Sequence, residues 1–232
     1  MRLRGGYNPD VNTDILIVGG GLVGASLALA LCGSRWRVVL AEGHAPAVSA
    51  GSVAEWDARV YAISPASKVF LESLGAWDLL DPARLSPVFA MRIHGDRQSH
   101  LGFSAHDSGV AVLAWIVESG AIARALWSAL QRTGNITLVC PAAPESLTVT
   151  DGGASLRLGD GSEIEARLVV GADGAHSFVR NAAGISADEK PYGQCGVVAN
   201  FSCAVPHRGV AYQWFREDGV LAWLPLPGER MS

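Results

Sequence analysis

Apolar residues in this chain come in short runs separated by glycine-rich breaks. Residues 14–18 (Asp-Ile-Leu-Ile-Val) read as a short buried strand, 22–32 as a helix of small and apolar residues, and Val38–Glu42 as a second apolar strand. A loop rich in Ala, Gly, Pro and Ser follows over 43–54. Ser64-Pro65 then opens a helix, with serine as N-cap and proline at the first helical position, and the helix ends near Gly75. Residues 86–117 alternate or run apolar and predict strands of a second sheet. From Ser119 to Thr133, Ile122, Leu126 and Leu130 fall on one helical face, with Gly134 behind.

Beyond Ile136 the pattern changes to short strands joined by glycine turns. Leu147–Thr150, Ala154–Leu158 and Ile164–Val170, linked at Asp151-Gly-Gly and Gly159-Asp-Gly161, predict a three-stranded meander. A short helix is expected after Gly171-Ala-Asp-Gly174, ending near Gly184. Three further strands are expected, centred on Val197–Phe201, Ala211–Phe215 and Val220–Leu224.

One run admits a competing reading. Ile15 to Ser34 is twenty residues without a charge, long enough to span a bilayer, and Arg2 and Arg4 ahead of it imitate a secretory signal. Three successive glycines, Gly19–Gly21, weaken a spanning helix but suit a strand-to-helix turn, and a second apolar strand follows closely. The buried strand–turn–helix–strand is therefore the reading adopted, with the protein expected in the cytoplasm.

Composition narrows the classes further. With 49% hydrophobic and 17% charged residues, the chain can build a core and is no disordered tail. Its 232 residues allow one large domain or two small ones at roughly 100–200 residues each. A net charge of −4 offers no basic field for nucleic acid. The cysteines at 32, 140, 195 and 203 lack zinc spacing and read as reduced, partly buried thiols. No metal site and no Ser-His-Asp arrangement is visible, and no residue is assigned as catalytic.

Two motifs carry chemistry. Gly19-x-Gly21-x-x-Gly24 lies between a strand and a helix, the context a dinucleotide fingerprint requires. Gly19 permits the tight turn, Gly21 has no Cβ to block a pyrophosphate, and Gly24 lets helix pack on strand. The helix N-terminus then offers free N–H groups to phosphates. Glu42, 18 residues after Gly24 at the end of the second strand, can accept both hydroxyl protons of an adenosine ribose. The second motif is Asp173-Gly174, where a strand meets a helix carrying Ser177 and Arg180.

On these residues the sequence resembles the flavoprotein aromatic hydroxylases of the para-hydroxybenzoate hydroxylase class. Gly19, Gly21, Gly24 and Glu42 match the family's ADP-binding motif, and Asp173-Gly174 matches a second motif that touches FAD and helps bind the nicotinamide donor. Within the class, Asp57-Ala-Arg-Val-Tyr-Ala-Ile-Ser-Pro-Ala-Ser67, Trp115-Ile-Val-Glu118, Tyr192-Gly-Gln194, Ala211-Tyr-Gln-Trp-Phe215 and Leu224-Pro-Leu226 look like the ubiquinone-biosynthesis hydroxylases. Arg59 matches a position that faces the flavin, against the alternative of a surface arginine after a loop. Glu118 reads as a carboxylate in the first turn of its helix, against the alternative of a position near the ribityl chain.

The resemblance implies an α/β fold: a Rossmann-type FAD/NAD(P)-binding domain with a β-meander, interleaved with a partial β-rich substrate domain. Its expected segments are 12–85 for the FAD-binding Rossmann part and 86–117 for substrate-domain strands. The FAD-domain helix, meander and Asp-Gly motif take 118–190, and a partial substrate-domain sheet takes 191–232. It implies FAD, NADH or NADPH as electron donor, O2, and an aromatic small-molecule or polyprenyl-phenol substrate. Contact with a biosynthetic complex or the periphery of the inner membrane is a further implication. The family's third motif, of Gly-Asp-Ala-Ala-His type, is missing: Gly95-Asp96 and Gly159-Asp160 are the two Gly-Asp pairs, and neither leads into an apolar helix. The chain is therefore expected to be short of the family's length, ending inside the substrate sheet. Two alternatives stay open: a catalytically incomplete fragment or nucleotide-binding module, and an ordinary NAD-dependent dehydrogenase. The meander and the second motif speak against the latter.

Overall fold

The computed structural model describes residues 10–47, 56–96 and 99–232; Arg2, Arg4 and most of the 43–54 loop lie outside them. Short apolar runs become strands and glycines punctuate them. In chain order the first elements are β1 (Asp10–Val18), α1 (Leu22–Ala30), β2 (Val38–Ala41), β3 (Val60–Ile63) and α2 (Pro65–Ser73). They are followed by β4 (Ser86–Val88), β5 (Ala90–His94), β6 (His100–Ser104), β7 (Ala114–Glu118) and α3 (Ser119–Arg132). Next come β8 (Ile136–Val139), β9 (Pro144–Thr150), β10 (Gly153–Leu158), β11 (Glu163–Gly171) and α4 (Phe178–Ala182). The last are β12 (Phe201–Ser202), β13 (Val210–Arg216), β14 (Gly219–Trp223), β15 (Pro225–Leu226) and β16 (Arg230–Met231).

Two compact units result. One takes the chain up to Ala47 together with Leu126–Tyr192; the other takes Val48–Ala125 and Gly193–Ser232. The boundary differs from the expected segments, because β3 pairs with β7 and so draws residues near 60 away from the Rossmann segment. Helix α3 crosses the division between Ala125 and Leu126, and its expected apolar stripe, Ile122, Leu126 and Leu130, is buried.

The first unit holds a six-stranded sheet in the order β8-β2-β1-β11-β10-β9. Strands β8, β2, β1 and β11 are parallel neighbours, and β2 is buried along its length, as a parallel strand covered on both faces should be. The meander forms as expected, but β11 does more than close it. Its first half pairs antiparallel with β10 while its whole length pairs parallel with β1. Leu16, Val18, Val39, Leu156, Ile164 and Val179 belong to this unit's core. The uncharged 15–34 run is broken into the end of β1, a turn and the nine-residue α1. Among the described residues no helix is long and apolar enough to cross a membrane.

The second unit does not carry one sheet, as the sequence pattern suggested, but three: β3-β7-β4, β14-β13-β5-β6 and β12-β16-β15. Its core joins Val88, Ile116, Ala211 and Leu226. Helix α2 starts as expected, with Ser64 Oγ accepting from the Ser67 N–H at 3.1 Å and Pro65 in its first turn. The strand expected over Val197–Phe201 is reduced to Phe201–Ser202: residues 197–199 are exposed and have no ladder, and an apolar run without a neighbouring strand gains nothing from extending. The apolar end of the chain divides. Leu226 enters the core and Leu224 packs on it, whereas Leu221 and Trp223 on β14 stay 42% and 45% exposed.

Candidate functional site

In the first unit, β1 and β11 are adjacent and parallel, with Val18 opposite Gly171. Their C-terminal ends release the two sequence motifs side by side. The chain leaves β1 toward β2 and β8 on one side, while β11 lies on the other. This is the reversal point at which open α/β sheets bind ligands.

The glycine loop is dictated by space. Gly19 has a φ of +103°, and a Cβ there would lie 2.4 Å from the Ala172 carbonyl oxygen. The loop is therefore pressed directly onto the Asp-Gly segment, where the Ala172 N–H also donates to the Val18 carbonyl at 2.7 Å. A Cβ on Gly24 would come within 1.8 Å of the Gly19 carbonyl oxygen, so helix and strand touch backbone to backbone. Gly21 is different. Its φ of −64° is open to any residue, and a Cβ there would meet nothing within 4 Å. The open space lies at the N-cap of α1, which has no side-chain cap and no acidic residue in its first turn.

Glu42, at the end of β2, turns toward this loop. One carboxylate oxygen accepts from the Gly20 N–H and the other from the His44 N–H at 2.9 Å. Each oxygen keeps acceptor capacity for a ribose hydroxyl. Sequence reasoning missed Gly20: its amide anchors Glu42, and a Cβ there would sit 2.9 Å from the Glu42 Cβ. The triplet Gly19–Gly21 was its signal.

Asp173 spends its carboxylate inside its own loop. Oδ1 accepts from Ser177 Oγ at 2.5 Å and Oδ2 from the Val179 N–H at 3.1 Å. Burial works against its charge, but the bonds from Ser177 and from the Val179 and Phe178 backbone prevail and hold the carboxyl below the ordinary aspartate value. Ser177 caps α4 by accepting from the Arg180 N–H at 3.0 Å. Gly174 is exposed with a φ of +89°. A groove of about 760 Å³ in the same unit touches neither glycine loop nor Asp173. It runs along Leu147, Val149 and Leu168, and Arg167 on its wall is paired with Asp14 at 3.7 Å.

Arg59 belongs to the second unit, so the described geometry does not join it to the motifs of the first. It is exposed, and its backbone N–H donates to Asp57 Oδ1 at 2.9 Å. Glu118 is not the helix-turn carboxylate expected from sequence. It closes β7, is buried, and binds Arg84 through two hydrogen bonds of 2.6 and 2.7 Å. Arg84 carried no motif, which is why sequence reasoning passed over it. Among the described residues no group of His, Cys, Asp or Glu could hold a metal ion.

Residues 12–230 match the FAD binding domain family. The chain belongs to that family. The chain is 37% identical over 223 residues to ubiquinone hydroxylase UbiL of Rhodospirillum rubrum, covering 96% of itself and 51% of that protein. It is 36% identical over 214 residues to 3-demethoxyubiquinol 3-hydroxylase of Escherichia coli, covering 92% and 54%. The human ubiquinone biosynthesis monooxygenase COQ6 is 31% identical, with 95% and 50% covered. The chain thus spans about half the length of the curated relatives it matches. Among solved structures, PqsL of Pseudomonas aeruginosa in complex with 2-aminobenzoylacetate aligns with a TM-score of 0.77 at 22% identity, over 95% of this chain and 59% of that one. A single-substitution variant of HpxO of Klebsiella pneumoniae complexed with FAD aligns at 0.64 and 16% identity, over 94% of this chain and 55% of that one. Both alignments show likeness of fold. The open space at Gly21, the uncapped α1 terminus and Glu42 fit the adenosine diphosphate part of FAD.

Proposed function

We propose that the chain serves an FAD-dependent monooxygenase reaction in which a phenolic or polyprenyl-phenol ring is hydroxylated, as in ubiquinone biosynthesis, with NADH or NADPH as donor and O2 as co-substrate. One observation carries the reading: β1 and β11 deliver the glycine loop and the Asp-Gly loop to the same sheet end, in direct backbone contact. The ubiquinone-pathway hydroxylases among its relatives support the substrate class. When bound, the flavin supplies the electron transfer and oxygen chemistry, which no side chain provides alone. Gly19, Gly21 and Gly24 admit the pyrophosphate against the α1 amides, and Glu42 accepts from the ribose. Asp173 keeps the Gly174 turn in shape for the cofactor, and Arg59 is assigned to the cofactor on the resemblance of its sequence alone. Because polyprenyl phenols reside in bilayers, a cytoplasmic protein meeting the inner membrane or a biosynthetic complex at its periphery fits this substrate.

The test is flavin binding followed by turnover. Titrated FAD should lose fluorescence on binding, and the complex should oxidise NADH or NADPH faster when a phenol is added. Absence of flavin binding sinks the reading. A second reading is a nucleotide-binding module without hydroxylation. Flavin binding with no donor oxidation would select it.

A further inference from the structure

His207 is half-buried in the second unit, and its imidazole bonds to backbone groups alone among the described residues. Nδ1 accepts from the Gly209 N–H at 3.0 Å. Nε2 lies 2.9 Å from the carbonyl oxygens of both Leu226 and Gly228. An amide N–H can only donate and a carbonyl can only accept, so these partners require a neutral ring with its proton on Nε2. The turn that the ring closes is strained. The His207 carbonyl accepts from the Val210 N–H at 3.0 Å, and φ is +52° at Arg208 and +67° at Gly209, the pattern of a type I′ turn. Arg208 is the one non-glycine residue of positive φ among the described residues, a conformation that its Cβ disfavours. At Gly209 a Cβ would lie 2.5 Å from the Phe89 ring. The Gly209 carbonyl in turn accepts from the Phe89 N–H at 2.8 Å, beside the first β13–β5 pair, Val210 and Ala90. One imidazole thus ties the start of β13 to the β15–β16 turn. The titratable groups on the surrounding elements are placed elsewhere. Arg208 and Glu229 are exposed, and Arg230 donates to the Pro227 carbonyl at 3.3 Å. The Cys203 N–H donates to the Glu229 carbonyl at 2.8 Å. On β13 and β5, Tyr212 and His94 stack on Trp214, Arg92 lies over Tyr212, and Arg216 pairs with Asp218.

We propose that His207 is an acid-opened latch on this turn. Histidine is the side chain that changes charge between about pH 8 and about pH 5. With a proton on each nitrogen, Nδ1 no longer accepts, and the buried Gly209 N–H loses its partner. Arg208 then leaves the left-handed region and the Val210–Ala90 end of the β13–β5 pairing opens, while Nε2 keeps its carbonyls. The test is amide hydrogen exchange of the full chain, read by NMR as protection factors so that the intrinsic pH dependence cancels. Gly209 and Phe89 should lose protection about tenfold from about pH 8 to about pH 5, the scale of one hydrogen bond. Gln213, in the middle of β13, should keep its protection. His207→Asn retains an acceptor two residues before Gly209 but does not titrate, so its Gly209 protection should stay within about twofold over that range. Arg208→Gly removes the strain, so Phe89 should stay protected in acid. Nitrogen chemical shifts of His207 at about pH 8 should place the proton on Nε2.

A proton on Nδ1 at that pH overturns the proposal, as does Gly209 protection that stays constant in the wild-type chain. An equal acid loss in His207→Asn overturns it by assigning the response to another group. A loss shared by Gln213 overturns it too, because that is acid unfolding of the sheet and not release of one turn. Where His207→Asn does not fold, the tautomer and the Arg208→Gly comparison decide. Flavin takes no part in these readouts, so a chain that binds no FAD leaves the latch standing.

Discussion

Three glycines in one motif answer to different forces, and substitution separates them. Gly19 and Gly24 are demanded by the fold, through a positive φ and a backbone contact, so Gly24→Ala should cost more than about 2 kcal/mol, as overpacking and backbone strain do. Gly21 is demanded by nothing among the described residues. Gly21→Ala should therefore fold with a loss of about 1 kcal/mol or less from its cap position, yet bind FAD at least about tenfold more weakly, the equivalent of 1.4 kcal/mol. Thermal melts and flavin titration on the same samples give the comparison. Asp173 adds a pH signature. Its folded-state carboxyl lies below the ordinary 3.8, so its contribution is complete above that value and is lost as pH falls through the folded pKa. In denaturant titrations, Asp173→Asn should narrow its stability gap to wild type as pH drops from 5 toward 2.

Elements follow local rules where neighbours agree with them. The N-cap of α2 was legible in Ser64-Pro65, and Ser64→Ala should remove about 1 kcal/mol of stability, measured by urea unfolding. The meander was legible from its glycine turns, and the strand positions Leu16, Val18, Val39, Leu156 and Ile164 of the first unit became core. What the one-dimensional pattern could not reveal is partnership. Strand β11 looks like the end of a meander and is also a parallel neighbour of β1, because pairing joins residues about 150 positions apart. The 86–117 strands look like one sheet and divide between two. Residues 197–199 have strand composition but no strand beside them. Glu118 has the position of a helix-turn acid, but Arg84, 34 residues away, takes it into the interior.

At the scale of the whole molecule, both units are interleaved along the chain, each with its own core. A ligand that binds only the folded first unit should stabilise by mass action. FAD at about one hundred times its dissociation constant should add about 2.7 kcal/mol, a rise in Tm of about 5–10 °C for a chain of this size. Scanning calorimetry with FAD, and with an equal concentration of riboflavin as a control lacking the pyrophosphate, checks this. The larger response belongs to FAD if the glycine loop is the anchor. By itself the sequence determined the glycine loop, the acid at the end of β2, the meander and the family, because each is a local pattern of spacing, turn chemistry and burial. Only the tertiary structure decided that Gly19 rests on Ala172, that Asp173 orders its own loop, and that Glu118 is buried with Arg84. Those contacts join distant residues, and their energies depend on a backbone approach that composition and periodicity do not encode.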